Sequence, residues 1–282
     1  GAGQNFVALA PEQVVDVDAD LWVLAVPNGM SAPWIEAIEH AHPNALILDL
    51  GADYRFDPHW VYGLTEFNRA ALKRARRISN PGCYATGAQF GLLPIREALI
   101  SPPVVFGVSG YSGAGRTRSA RNDPERLLDN LIPYALAGHV HEREISEHLG
   151  RPVRFHPHVA AFFRGISLTI AVELSAPVSA ESLKAEFDER YGREPLVRVG
   201  AEVPEVAGMA SRTGIGIGGF SVDARNAQRA SFVVVLDNLL KGAASQALQN
   251  INLALGLDEL TAIDPAAVDA TNARPTLQGA EA

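Results

Sequence analysis

The stretch from Ser79 to Pro94 reads Ser-Asn-Pro-Gly-Cys-Tyr-Ala-Thr-Gly-Ala-Gln-Phe-Gly-Leu-Leu-Pro and contains Cys83, the only cysteine of the 282-residue chain. An apolar strand end at Ile78 precedes it, and Asn80-Pro81-Gly82 has the composition of a tight turn. Small and apolar residues at helical spacing follow Cys83. The pattern therefore predicts a strand, a turn and a helix that begins at Cys83.

A cysteine at the start of a helix is placed as a nucleophile. The positive end of the helix dipole and the N–H groups of the first turn favour a thiolate over a thiol. A buried structural cysteine is the alternative, and it is the commoner fate of a lone cysteine. The strand-turn-helix corner favours the reactive interpretation of Cys83.

The residues before this corner predict part of a nucleotide-binding sheet. Leu21 to Val26 and Ala45 to Leu50 are strands of the buried type, and Ser31 can cap a helix between them. A strand, a helix and a strand within about thirty residues form a parallel crossover, the unit of doubly wound folds. Ligands bind such sheets where the strands end, so the loops at Pro27 to Ser31 and Gly51 to Phe56 are candidate cofactor edges.

The second half of the chain is richer in strands, with one helix capped by Ser179 and a long helix over residues 237–255. The predicted strands are Val104 to Ser109, Leu196 to Val199, Gly214 to Val222 and Ala230 to Leu236. The predicted class is α/β, with a partial doubly wound (Rossmann-type) parallel sheet domain and an α+β catalytic domain that has a mixed sheet. We expect the dinucleotide-binding domain at 1–81 and 239–282, and the catalytic and oligomerisation domain at 82–238.

Composition and charge exclude several classes of function. A net charge of -8 leaves no basic surface for nucleic acid. A single cysteine cannot form an internal disulfide, which favours a reducing compartment. No run of about 18 apolar residues and no signal-like N-terminus occurs, so no membrane association and a cytoplasmic location are expected.

The stretch around Cys83 resembles the active-site signature of N-acetyl-gamma-glutamyl-phosphate reductases, NADPH-dependent enzymes of arginine biosynthesis. In that family Asn-Pro-Gly-Cys-Tyr-Ala-Thr leads into a helix with Gly-Leu-Leu-Pro. Three more blocks, at 25–31, 49–55 and 62–66, occur in the family's order. The chain departs from the family at Asn28 (usually His), Gly51 (usually Ser) and Thr65 (usually Pro). The resemblance implies a glyceraldehyde-3-phosphate-dehydrogenase-like arrangement of the two domains.

The glycine-rich turn of a dinucleotide-binding domain is not found before Leu21. Gly1-Ala2-Gly3 is followed by Phe6 rather than by a third glycine. A formal G-x-G-x-x-G at Gly214, Gly216 and Gly219 precedes strand-like residues, which indicates a flexible strand or a bulge. We therefore expect that an N-terminal segment of the natural protein is not represented in this sequence.

The resemblance supplies the candidate cofactor residues. The Ser-Gly-Ala-Gly-Arg block from Ser112 to Arg116 lies near phosphate and nicotinamide in the family, and Asn238 comes from a helix that places its Asn near nicotinamide. A mobile surface loop is the alternative for the glycine-rich block, although glycines also let backbone N–H groups approach an anion. The expected NADP contacts are Pro27, Gly29, Ser112, Gly113, Gly115 and Asn238.

Two histidines are candidates for the catalytic base. A spacing of two puts His139 and His141 on opposed sides of a strand or a helix, which predicts that only one of them meets the thiol. The resemblance assigns the base to this segment, and His141 is favoured slightly. A paired-histidine metal site is the rival, but the chain has no second cluster with ligand spacing, so no metal is predicted. Glu142 and Glu144 are expected to be solvated charges.

The resemblance also implies the substrate-binding residues. His158 and Arg164 match a family block near the substrate, and Arg116 and Arg164 could hold phosphate and the substrate α-carboxylate. An ordinary edge-strand arginine is the alternative for Arg164. The backbone N–H groups of Cys83 and Asn80 are the predicted oxyanion donors.

These observations predict NADPH-dependent reduction of N-acetyl-L-glutamyl 5-phosphate to the 5-semialdehyde through a thioester on Cys83, because a thioester accepts hydride more readily than a carboxylate. An aspartate-semialdehyde dehydrogenase-like enzyme, a cofactor-free Cys-His hydrolase or acyltransferase, and a non-catalytic regulatory homologue are the alternatives. The expected partners are a small-molecule acyl phosphate and, in a homo-oligomer, further copies of the chain.

Overall fold

The computed structural model describes residues 7–115 and 117–265 and divides the chain into two compact units. Among the described residues, the first unit contains those up to Pro81 together with Gln249–Glu259, and the second contains Gly82–Leu248 and those from Leu260. The expected domain bounds, 1–81 with 239–282 and 82–238, stay a prediction.

The first unit is built on a four-stranded sheet in which every pairing is parallel. Its strand order is β1-β2-β4-β3. A helix joins β1 to β2, as the sequence predicts, and Ile35 and Ile38 on this helix are buried. The elements are β1 (Leu21–Leu24), α1 (Ala32–Ala41), β2 (Leu46–Asp49), β3 (Val61–Tyr62), α2 (Thr65–Leu72) and β4 (Arg77–Ser79).

The segment from Gln249 is an integral part of the first unit. Asn250 accepts a hydrogen bond from Thr65 Oγ1 (2.8 Å) and donates one to the Gly63 carbonyl (2.8 Å). Arg69 pairs with Glu259 at 2.6 Å. Only a glycine fits at position 63, because a Cβ there would lie 2.3 Å from Asn250 Nδ2.

The second unit is built on a seven-stranded mixed sheet, which confirms the predicted combination of sheets. The strand order is β6-β7-β5-β8-β11-β10-β9. Its strands are β5 (Val104–Gly110), β6 (Leu131–Pro133), β7 (Arg154–Ala160), β8 (Ile166–Glu173), β9 (Val197–Val199), β10 (Ile215–Asp223) and β11 (Asn226–Leu236). Its helices are α3 (Cys83–Leu92), α4 (Pro124–Leu127), α5 (Val140–Leu149), α6 (Ala180–Tyr191) and α7 (Val206–Met209), and α8 (Ser245–Ala254) continues into the first unit.

Helix α3 lies directly on this sheet because its contact face is made of glycine. A Cβ at Gly87 would lie 2.6 Å from Leu168, and one at Gly91 would lie 2.4 Å from Ile170. Every residue of α3 after Cys83 is buried. The small residues that follow the cysteine in the sequence therefore bring the start of the helix close to the strands.

Three local features differ from the sequence prediction or refine it. Ser31 stands at the N-cap of α1 without capping it, and its hydroxyl donates instead to Asp49 Oδ1 at 3.2 Å. The predicted helix over 237–255 begins with a π-helical turn at Leu240–Ala244. The glycines of β10 form a bulge, with Gly219 at φ +68°, which confirms the interpretation of the G-x-G-x-x-G pattern.

Over the described ranges, the structure has no helix that is both long and apolar enough to cross a membrane.

Candidate active site

Cys83 lies on the wall of a cavity of about 190 Å³ in the second unit. The thiol residue is only partly buried, so it is accessible from this cavity. Helix α3 begins at Cys83, as the turn chemistry before it predicts. The helical hydrogen bonds begin with the N–H of Thr86, which donates to the Gly82 carbonyl at 2.8 Å. The side chains that share the wall include Tyr84, Ser109, Arg121, Tyr134, His139 and His141.

The π-helical turn packs against the cysteine. A Cβ on Gly242 would lie 2.7 Å from Cys83 Cβ. Within the turn, the Gly242 N–H donates to the Asp237 carbonyl five residues earlier at 2.9 Å. Wider π-helical winding and the absence of a side chain together let this segment pass beside Cys83.

Glu144 is wholly buried, and the expectation that it is a solvated charge is wrong. Its Oε1 accepts a hydrogen bond of 2.8 Å from the N–H of Gly82, the residue just before Cys83. Glu142 is not simply solvated either, since its Oε2 accepts from the Phe155 N–H at 2.9 Å. Glu144 therefore links α5 to the corner that presents the nucleophile.

Both histidines line the cavity, with ring centroids 4.8 Å apart, so their rings do not lie on opposed sides of one element. That only one of them meets the thiol stays a prediction. His139 precedes α5 with extended backbone, and the helical spacing rule therefore does not apply to the pair. Its Nδ1 caps the helix by accepting from the His141 N–H at 3.1 Å. In the neutral ring the proton must then be on Nε2. Burial and, to a lesser degree, the charge of Arg121 lower the pKa of His139.

Two tyrosines that the sequence analysis did not select complete the wall. Burial raises the pKa of both Tyr84 and Tyr134, so both hydroxyls stay protonated. Tyr84 donates to the His158 carbonyl at 2.7 Å. Tyr84 directly follows the cysteine, which is a sequence signal that could have identified it. Tyr134 has no such signal.

The side chains of His158 and Arg164 are not among the residues that line this cavity, and their expected place beside the substrate stays a prediction. Val159 of β7 lines the cavity. Strand alternation therefore directs His158 to the opposite face, where it stacks on Phe106 at 4.3 Å. Arg164 makes a two-bond ion pair with the buried Asp237, at 2.5 and 3.0 Å.

The other two substrate-binding candidates, Arg116 and Asn80, are not among the described residues of the second unit. Arg116 is not among the residues that the structure describes. Asn80 belongs to the first unit, and its N–H donates to the Asp49 carbonyl at 2.8 Å. This bond makes the N–H of Asn80 unavailable as the oxyanion donor that we expected.

Two of the expected cofactor residues of the second unit, Ser112 and Asn238, are hydrogen-bonded to each other. Asn238 donates to Ser112 Oγ at 2.9 Å and accepts from the Gly165 N–H at 2.7 Å. Gly113 lines the Cys83 cavity, and a Cβ there would lie 2.9 Å from Ser109 Oγ. A side chain at position 113 would therefore collide with Ser109 in the wall of the cavity.

A second cavity of about 630 Å³ lies next to the same loop. Ser112 and Gly115 line it, and Gly115 has a φ of +78°. Tyr111 and Phe163 form an aromatic wall, with ring centroids 5.4 Å apart. A polar loop beside aromatic rings fits a flat nicotinamide ring.

In the first unit, the two candidate cofactor loops are bound to each other at the carboxyl ends of β1 and β2. The Gly29 N–H donates to both carboxylate oxygens of Asp53, at 2.7 and 2.8 Å. The Ala52 N–H donates to Asn28 Oδ1 at 3.1 Å. Pro27 and Gly29 thus lie at the sheet edge where ligands of such folds bind.

No group of three or more His, Cys, Asp or Glu residues in the part of the chain that the structure describes could hold a metal ion.

A parallel-sheet unit and a mixed-sheet unit that starts at a helix-terminal cysteine are together the architecture of semialdehyde dehydrogenases. Family models agree: the semialdehyde dehydrogenase NAD binding domain matches residues 3–75, and the semialdehyde dehydrogenase dimerisation domain matches residues 83–238. The chain therefore belongs to the semialdehyde dehydrogenase family.

Within this family, the curated relatives confirm the resemblance seen in the sequence, and the chain groups with the N-acetyl-gamma-glutamyl-phosphate reductases. It is 53% identical to that enzyme of Xanthomonas campestris pv. campestris (strain B100), over 92% of this chain and 82% of the relative. It is 52% identical to that of Xylella fastidiosa (strain M23), over 92% of this chain and 79% of the relative.

Solved structures show the same fold at low sequence identity. Aspartate semialdehyde dehydrogenase II from Vibrio cholerae has a TM-score of 0.69 and 20% identity, over 84% of this chain and 79% of that one. Aspartate semialdehyde dehydrogenase from Francisella tularensis has a TM-score of 0.69 and 16% identity, over 86% and 83%. At these identities the likeness concerns the fold alone.

Proposed function

We propose that this protein reduces N-acetyl-L-glutamyl 5-phosphate with NADPH to N-acetyl-L-glutamate 5-semialdehyde and phosphate, a step of arginine biosynthesis. The observation that carries the proposal is the cavity in which helix-terminal Cys83 shares a wall with His139 and His141. Relatives more than half identical to the chain are named for this reaction. The aspartate semialdehyde dehydrogenases compared above are 20% identical to the chain or less, so they support the fold and not this substrate.

In the proposed mechanism, the Cys83 thiolate attacks the acyl carbon and expels phosphate, so that the acyl group is held as a thioester on Sγ. The N–H of Cys83, in the first turn of α3, is the proposed donor to the oxyanion that forms during this attack. When bound, NADPH would supply the hydride that reduces the thioester to a hemithioacetal. Collapse of the resulting hemithioacetal returns the thiolate and releases the semialdehyde.

We assign the role of general base to His141. His139 already uses Nδ1 to cap α5, and its neutral ring carries the proton on Nε2, so it is a donor rather than a base. His141 then takes the proton of the Cys83 thiol and returns it to the tetrahedral oxygen. His139 holds the helix on which His141 is placed.

We assign cofactor binding in the second unit to Ser112, Gly113, Gly115 and Asn238, and in the first unit to Pro27 and Gly29. The support in the second unit is the hydrogen bond between Asn238 and Ser112 and the aromatic wall beside them. The match of residues 3–75 to an NAD binding domain supports the assignment in the first unit.

We further propose that the protein is a homo-oligomer of the cytoplasm. The matched dimerisation domain supports self-association. So does the face of the mixed sheet that carries Phe106, Thr169 and Ala171, because these side chains are exposed on adjacent strands. A reducing compartment would keep the Cys83 thiol from oxidation.

The reverse reaction tests the function directly. The purified protein should reduce NADP with N-acetyl-glutamate 5-semialdehyde only when inorganic phosphate is present, and Cys83→Ser should lower this rate at least about 10³-fold. Turnover of Cys83→Ser near the wild-type rate would reject the thioester route. A preference for aspartate semialdehyde would favour the shorter-substrate alternative, and thioester hydrolysis without NADP would favour the hydrolase.

A further inference from the structure

Arg121 is the only arginine or lysine among the described residues that line the Cys83 cavity. Its guanidinium carbon lies 4.7 Å from the centre of the Tyr134 ring. Guanidinium groups stack favourably on aromatic faces in this way, and the contact limits their motion. The cavity therefore has one fixed positive group on its wall.

The guanidinium of Arg121 has no carboxylate within 4 Å among the described residues. Three other partly buried arginines do have one. Those pairs are Arg69 with Glu259, Arg164 with Asp237, and Arg190 with Glu194. Removing a cation from water costs free energy unless an opposite charge compensates for it. Arg121 is therefore suited to bind an anion from outside the chain.

The position of Arg121 indicates which part of the substrate it meets. Arg121 stacks on Tyr134, whose ring lies 5.6 Å from the ring of His139, and the His139 ring lies 4.8 Å from that of His141. Two rings in series therefore stand between the guanidinium and His141, the proposed base for the Cys83 thiol. This series favours contact of Arg121 with a part of the ligand other than the carbon that Cys83 attacks.

We propose that Arg121 binds the α-carboxylate of the acyl substrate and thereby selects acyl phosphates that carry a carboxylate several carbons from the reacting carbonyl. This inference rests on the proposed function. The four bonds from the acyl carbon to the carboxylate of a glutamyl chain span roughly 5 Å, so this carboxylate can meet a group on the cavity wall away from the reacting carbon. The planar guanidinium can hold both carboxylate oxygens.

In the reverse reaction the carboxylate and the phosphate are on two different substrates, the semialdehyde and inorganic phosphate. The effect of a variant on the binding of each anion can therefore be measured separately. In Arg121→Met the KM for the semialdehyde should rise about 10- to 100-fold, while the KM for phosphate stays within about twofold. Arg121→Lys should be intermediate, since lysine keeps the charge without the two-pronged geometry. A rise confined to the phosphate KM, or no rise in either, would overturn the assignment.

A second measurement does not depend on turnover. N-acetylglutamate and its α-amide are compared as protectants of Cys83 against iodoacetamide. The wild-type protein should be protected at lower concentrations of the acid than of the amide, and Arg121→Met should lose this difference. An unchanged difference would overturn the assignment. A further outcome is that the wild type fails to oxidise the semialdehyde while Arg121→Met still loses the difference in protection between acid and amide. That result would reject the proposed function and support Arg121 as a carboxylate-binding residue.

Arg126→Met is the matched control. Arg126 is exposed on the neighbouring α4 and does not line the Cys83 cavity, so its removal should change neither KM nor the protection. The rate of Cys83 alkylation without ligand reports on folding and should agree among all variants within about twofold. A fall of this rate in Arg121→Met alone would show a structural role and overturn the assignment.

Discussion

His139 is held by the helix that it caps, and its protonation state follows from that contact. Nδ1 must stay unprotonated to accept the His141 N–H, and burial disfavours the charged ring. The pKa of His139 is therefore lowered on folding. When the pH falls below the ordinary histidine pKa of about 6.5, the unfolded chain takes up a proton that the folded chain does not.

His139→Asn tests this linkage. Asparagine keeps an oxygen that can cap α5 but does not titrate, so the loss of thermal stability between pH 7.5 and pH 5 should be smaller than in the wild type. The comparison is made by thermal unfolding at both pH values. His40→Asn, at an exposed position of α1, is expected not to reduce that loss. An equal loss in His139→Asn and the wild type would contradict the linkage.

Residues whose role follows from local chain geometry could be predicted, and residues paired across the fold could not. Cys83 is placed by the turn just before it. Glu144 accepts from a residue 62 positions away, and no local pattern indicates that contact. Arg164 has a guanidinium suited to any anion, and its pairing with Asp237, 73 positions away, is decided by the packing of the sheet.

Two elements meet at the nucleophile, and their contact depends on one glycine. The start of α3 and the π-helical turn approach each other where Gly242 faces Cys83. The helical periodicity of residues 237–255 predicted a helix correctly but could not indicate the wider turn. The wider winding of that turn accommodates Cys83, which is more than 150 positions away, and is not indicated by the local sequence.

Gly242→Ala should displace the cysteine, because the new methyl group would lie 2.7 Å from Cys83 Cβ. We expect a loss of about 1–3 kcal/mol in unfolding free energy and a fall in turnover of about 10²-fold. Denaturant unfolding and steady-state kinetics measure the two effects. The control is Gly208→Ala in α7, where a Cβ meets nothing within 4 Å. Full activity in Gly242→Ala would show that the contact does not position the nucleophile.

At the scale of the whole molecule, the proposed oligomer would use the exposed face of the mixed sheet. Phe106 pairs in register with Thr169, and Thr169 with Val233, so partly exposed side chains form a row across three strands. Buried and at least partly exposed residues alternate along β8, but the sequence could not indicate which strands lie beside it, since strand order is set by non-local pairing.

Thr169→Arg should convert the oligomer to monomers at micromolar concentration, because a symmetric contact repeats the unpaired charge on both copies. Sedimentation velocity measures the change. Ala185→Arg, at an exposed position of α6, is the control and should leave the assembly intact. Persistence of the oligomer in Thr169→Arg would exclude this face as the contact.

The first unit is complete only when the residues from Gln249 to Glu259 have been synthesised and pack against it. During synthesis, its last residues leave the ribosome roughly 10 to 40 s after Pro81, at 5–20 residues per second. Throughout that interval the nascent parallel sheet lacks the side-chain amide of Asn250, which hydrogen-bonds to the Gly63 carbonyl and the Thr65 hydroxyl in the folded protein. Translation speed and chaperone capture over this interval therefore bear on the yield of native protein.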